Sequence, residues 1–177
     1  QVNPTIRVGL YFGSNALPGA NLLNQVGSGY RFGYFDGDLN FVQLGSTGQE
    51  AISVVKTQNV WYNSGQYTAA SSGGAAVGCY HLLLPGTYAD FQSAQMAASV
   101  YPGGFPAWVD GAYQVRVGAY LDSASAQAAR DSLGLTDAQV AGTSGSGVSV
   151  VETGSSRILF QFDSTAGLYL AVKPGLD

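Results

Sequence analysis

The chain has 177 residues, of which 46% are hydrophobic and only 10% charged, with a net charge of −4. Roughly 25% charged residues is usual, so the surface must be polar but nearly uncharged, as is common in exported proteins. The seven Lys and Arg are scattered singly, which argues against nucleic acid and against anionic membrane surfaces, since both need clustered cations. No apolar run approaches the roughly 20 residues of a membrane span.

Taken in chain order, the first 62 residues read as strands. Ile6 to Phe12 is one, and Ala51–Lys56 and Asn59–Tyr62 are others. Tyr30–Phe35 and Leu39–Leu44 flank Asp36-Gly37-Asp38, a hairpin signal. Asp36 and Asp38 read as turn residues, because calcium would need six or more oxygens. Residues 63–77 are rich in Ser, Gly, Ala and Thr and read as a linker.

The pattern then changes. Cys79–Leu84 is an apolar strand. Tyr88–Tyr101 reads as a helix capped by Asp90 and stopped by Pro102-Gly103-Gly104. Phe105–Val109 and Tyr113–Tyr120 are strands joined at Asp110-Gly111. Asp122–Leu133 is a second helix ended by Gly134, and Val148–Val151 is the last strand of the unit. The order β-α-β-β-α-β predicts a split βαβ sheet with both helices on one face and the other face open. Arg157–Phe162 and Gly167–Val172 read as a closing hairpin that echoes the first one. The expected fold class is therefore α+β: the two-helix unit inserted in a β-rich domain, with helix on the order of 15–20%.

Chemistry-bearing residues are sparse. The lone Cys79 excludes an intrachain disulfide and reads as a small buried hydrophobe. His81 lies two residues on, but no third residue orients a dyad. Asp36, Asp38, Asp110, Asp122 and Asp137 have turn or cap explanations. No acid pair, metal-ligand spacing or phosphate loop is present, so neither catalytic residues nor a metal nor a cofactor is expected.

The segment Tyr113-Gln114-Val115-Arg116-Val117-Gly118-Ala119-Tyr120, followed by Ser123-Ala124-Ser125-Ala126, resembles the second repeat of SPOR domains. Tyr80 through Ala98 is similar to the first repeat, although Leu83 stands where the family usually carries Gln, and Pro85-Gly86-Thr87-Tyr88 replaces a glycine turn. The resemblance covers about residues 78–152 and implies binding of bacterial peptidoglycan glycan strands. The flanks, with Ile6 to Gly13 and Ile158–Asp163, resemble the N-terminal part of clostridial proteins of the stage II sporulation protein D (SpoIID/LytB) family. That resemblance implies a β-rich part at 1–62, continued at 153–177, and a catalytic domain beyond Asp177. The proposed acid of that family lies in a Glu-Met-Pro type motif, whereas the glutamates here are Glu50 and Glu152 alone. The chain starts at Gln1 without Met, so a trimmed, extracytoplasmic protein is expected.

Alternation places the expected glycan contacts. With Val115 and Val117 toward the helices, Gln114 and Arg116 face the open sheet, joined by His81 and Leu83, with Trp108 available to stack. Trp108 also reads as a core aromatic, Arg116 as a solvated strand residue, and His81 as a polar filler at a strand end. Trp61, Tyr62 and Tyr67 are either a second platform or packing residues. The alternative function is a structural or protein-interaction module, with other cell-wall proteins as partners.

Overall fold

The computed structural model describes residues 17–142 and 146–176. The expected strand at Ile6 to Phe12 lies outside them. Of the described residues, 12% are helical and 45% are in strands, so the fold is α+β with less helix than expected. Fourteen strands and two helices follow one another among these residues: β1 (Gly19–Leu23), β2 (Tyr30–Phe35), β3 (Phe41–Thr47), β4 (Ala51–Lys56), β5 (Val60–Asn63), β6 (Gln66–Thr68), β7 (Ala76–Val77), β8 (Tyr80–Leu83), α1 (Phe91–Ser99), β9 (Gly104–Val109), β10 (Ala112–Tyr120), α2 (Ser123–Ser132), β11 (Gln139–Ala141), β12 (Val148–Glu152), β13 (Ile158–Asp163) and β14 (Ala171–Pro174).

An eight-stranded sheet runs β1-β4-β12-β13-β9-β10-β8-β11. Its last four strands, with α1 and α2, trace the expected β-α-β-β-α-β path. All their pairings are antiparallel, as a split βαβ unit requires. Local chemistry explains the elements. Asp90 and Asp122 lie in extended backbone and accept from the N–H groups of Ser93 and Ser125, which caps each helix. Asp110 and Gly111 both have positive φ, 46° and 90°, the type I′ geometry that suits a two-residue hairpin.

Three expectations need correction. The fourth strand of the unit is β11, not Val148–Val151; those residues form β12 and pair with β4 and β13. Their alternating Val-Ser-Val-Val suits either position, and only the pairing partner decides. The closing hairpin does not form: β13 joins β12 and, in parallel, β9, whereas β14 pairs with β2. The segment 63–77 is not a bare linker. It carries β6 and β7, which pair with β5, and Tyr67 is buried.

The β-rich pieces and the two-helix unit thus share one sheet. On one face, α1 and α2 pack Ala94, Ala98 and Ala126 on Val115, Val117 and Leu82. That face continues under the three-stranded sheet β14-β2-β3, where Phe32, Phe160, Phe162, Ile52 and Trp108 form a second core. Phe91 of α1 meets Phe160 edge-on at 5.9 Å, and the Tyr113 hydroxyl donates to the Leu44 carbonyl at 2.7 Å. The opposite face buries Val55, Val60, Tyr67, Phe105 and Val151 in a third core.

Candidate functional site

Register fixes the faces of the expected site. Arg116 lies opposite Leu83 and Phe105, and Gln114 opposite Ala107. Arg116, Gln114, His81 and Leu83 therefore share the face away from the helices, as alternation predicts. Trp108 does not. It lies opposite Tyr113 and so belongs to the helix-side face, stacked on Phe162 at 5.3 Å and tilted against Tyr34 at 5.7 Å. It is a core aromatic.

The face itself is not open. His81 is 0% exposed and Arg116 4%. Gln161 of β13 donates from Nε2 to His81 Nε2 of β8 at 2.9 Å, although β9 and β10 lie between these strands. In a flat sheet three strand spacings amount to roughly 14 Å. A direct side-chain contact over that interval means that the sheet curls strongly, with this face inside.

The enclosed groups form a self-consistent network. Arg116 donates from Nη1 to Gln161 Oε1 at 2.9 Å and to the Gly142 carbonyl at 3.2 Å, and from Nη2 to Gln114 Oε1 at 3.4 Å. Gln161 Nε2 also donates to Ser149 Oγ at 3.0 Å. His81 Nδ1 is 2.7 Å from the Gly118 carbonyl, which can only accept. Nδ1 thus carries the proton and Nε2 accepts from Gln161, the neutral tautomer. Burial pushes the His81 pKa down to about 4; the bond to Gly118 opposes this, and the Arg116 charge adds to it. Burial also lowers the Arg116 pKa, against the pull of the Asp163 carboxylate. Arg116 Nε has no hydrogen-bond partner among the described residues.

Arg116 and His81 are therefore structural groups in this conformation, out of a glycan's reach. Gln114 and Leu83 are half-buried and line a shallow cavity of about 270 Å³ with Asp137 and Gln139.

A larger opening lies elsewhere. Two cavities of about 620 and 450 Å³ share Ser99, Gly104, Arg157 and Ile158 and so form one groove. One wall is the end of α1, with Gln95, Met96 and Ser99, followed by Tyr101. The other wall is the turn from β12 to β13, with Ser155, Ser156 and Arg157; Ser46, Thr47 and Gln49 close one end. The floor is small, with Gly103, Gly104 and Ala119. Among the described residues, no carboxylate lines either cavity.

The core positions this turn. The buried Tyr67 hydroxyl donates to the Ser155 carbonyl at 2.7 Å and accepts from Gly154 N–H at 3.1 Å. Arg157 makes a long ion pair with Glu152, at 3.9 Å, and is 62% exposed at the side chain, so its guanidinium reaches solvent beside the groove. Sequence reasoning missed the groove because its walls come from segments about sixty residues apart, and Ser-Ser-Arg after Gly154 reads as an ordinary turn.

Comparisons of the chain with protein-family models, with curated proteins and with solved structures found no match. None of the helices among the described residues is long and apolar enough to cross a membrane, and no cluster of His, Cys, Asp or Glu there could hold a metal ion.

Proposed function

We propose that this chain is a non-catalytic module that holds a peptidoglycan glycan strand outside the cytoplasm. The reading starts from the resemblance of residues 78–152 to SPOR repeats. The observation that carries it is the groove between α1 and the β12–β13 turn. Its walls offer hydroxyls, carboxamides and one cation, with Tyr101 as an aromatic face and no acid. Sugar hydroxyls and acetamides pair with such neutral donors and acceptors, and sugar carboxylates pair with a guanidinium. Hydrolysis would need two carboxylates about the bond, which this groove does not supply. The site in this reading is Gln95, Ser99, Tyr101, Ser155, Ser156 and Arg157, in place of Arg116, His81 and Trp108.

Co-sedimentation with purified sacculi tests it. Arg157→Ala should weaken binding about tenfold, the effect of losing roughly 1.5 kcal/mol in a charge-assisted bond. Full retention of binding in Arg157→Ala combined with Gln95→Ala would overturn the groove as the site. The parent chain should release no soluble muropeptides; release abolished by changing a single acidic residue would make it an enzyme.

One observation favours a protein partner instead. Met96, which lines the groove, and Val100, one turn on at the end of α1, are 65% and 72% exposed. In that reading the module docks another domain or a wall protein, and Met96→Glu, not Arg157→Ala, would abolish retention on the cell wall.

A further inference from the structure

The three-stranded sheet opens at one end. Gly175 N–H donates to the Gly29 carbonyl at 2.9 Å, and the register places Lys173 opposite Arg31 and Ala171 opposite Gly33. Bonded pairs of an antiparallel ladder recur at every second residue. The next pair would be Tyr169 opposite Phe35. Pairing stops before it: β14 begins at Ala171, and Leu168, Tyr169 and Leu170 make no backbone hydrogen bond among the described residues.

The gap is a cleft of about 380 Å³ lined by Phe35 and by residues 167–171. Tyr169 is 79% exposed and Phe35 40%. Phe35 is steadied from elsewhere, edge-on to Phe41 at 5.6 Å with Lys173 Nζ 5.4 Å from its centroid. Among the described residues the lining is uncharged. The opening is short, because Gly167 turns the chain away with a φ of 75°.

The cleft therefore offers the hydrogen-bonding groups of about one missing ladder pair beside two aromatic rings. A ligand that matches it carries one secondary amide, with its N–H and C=O, on a ring with an apolar C–H face. An extended peptide would need a row of such pairs. We propose that this cleft is a subsite for the acetamido group of an N-acetylated pyranose, with the sugar ring against Tyr169. The proposal rests on the glycan reading for its ligand but uses none of the groove residues.

The test is an NMR titration of the full chain with chitotriose and with cellotriose, which differ in the acetamido groups. Chitotriose should shift the amides of Phe35 and residues 167–171, and cellotriose should bind there at least about tenfold more weakly. Tyr169→Ala, at an exposed position, should weaken the chitotriose shifts about tenfold without altering the spectrum elsewhere, and Arg157→Ala should leave them intact. Equal binding of cellotriose, or parental binding by Tyr169→Ala, would overturn the proposal, as would tighter occupation of the same amides by an extended apolar pentapeptide. Shifts confined to residues 95–104 and 155–158 would overturn the cleft and leave the groove reading standing. Shifts in the cleft together with undiminished sacculus binding by the groove variants would do the reverse.

Discussion

Gln161 and His81 meet at 2.9 Å from strands that lie three places apart in the sheet. Gln161 uses its whole carboxamide there: Oε1 accepts from Arg116, and Nε2 donates to His81 and to Ser149. The curl of the sheet and the neutrality of His81 are thus one fact seen from two sides.

A stability titration checks this. His81 has a pKa of about 4 in the folded chain against 6.5 for the free side chain. Above pH 6.5 both states are neutral at this residue. As pH falls from 6.5 to 4, the unfolded chain takes a proton that the folded chain refuses. Stability should therefore fall across that window by about 3 kcal/mol, since each tenfold difference in proton affinity is worth about 1.4 kcal/mol. His81→Gln should flatten the urea midpoint between pH 7 and 4; a parental slope in the variant would remove His81 as its cause.

Arg116→Ala should be a folding defect. It leaves Gln161 Oε1 and the Gly142 carbonyl short of a donor inside the curl. A loss of about 2–4 kcal/mol is expected, lowering Tm by roughly 5–15 °C for a chain of this size. Arg116→Lys, whose single ammonium can stand in for Nη1 but not for the Nη2 bond to Gln114, should recover only part of it. Calorimetry decides, and a Tm within about two degrees of the parent would refute the network's role.

Gly118 sits in a bulge of β10 at a φ of 77°, where the register slips between Val117 and Tyr120. An added Cβ would fall 2.4 Å from the Tyr120 ring. Gly118→Ala should cost about 1–3 kcal/mol and displace the carbonyl that holds His81 Nδ1. The His81 ring resonances should then titrate at a lower pH than in the parent, because the bond to the Gly118 carbonyl favours the charged ring; a purely local strain would not cause this.

Tyr67→Phe removes a hydroxyl that ties β6 to the turn bearing Ser155 and Arg157. The expected stability cost is about 1 kcal/mol. Sacculus binding should weaken several-fold although Tyr67 does not line the groove, because the turn loses its anchor. Unchanged affinity alongside a lowered Tm would show that the groove does not depend on that turn.

The local elements are legible in short stretches of the chain. Asp90 and Asp122 announce their helices, Asp110-Gly111 its turn, and the alternation of Gln114, Val115, Arg116 and Val117 its two faces, because caps, turns and strand periodicity depend on neighbours within a few residues. What lies over each face is set by segments far away in sequence. Val148–Glu152 is as good a strand beside β8 as beside β4, so its place rests on which partner buries it. Arg116 points away from the helices in either case. Whether that direction leads to solvent or to Gln161 depends on the curl of a sheet whose strands come from both ends of the chain. Trp108 reads as either a core residue or a platform until Phe162 and Tyr34, far along the chain in both directions, are seen to close on it.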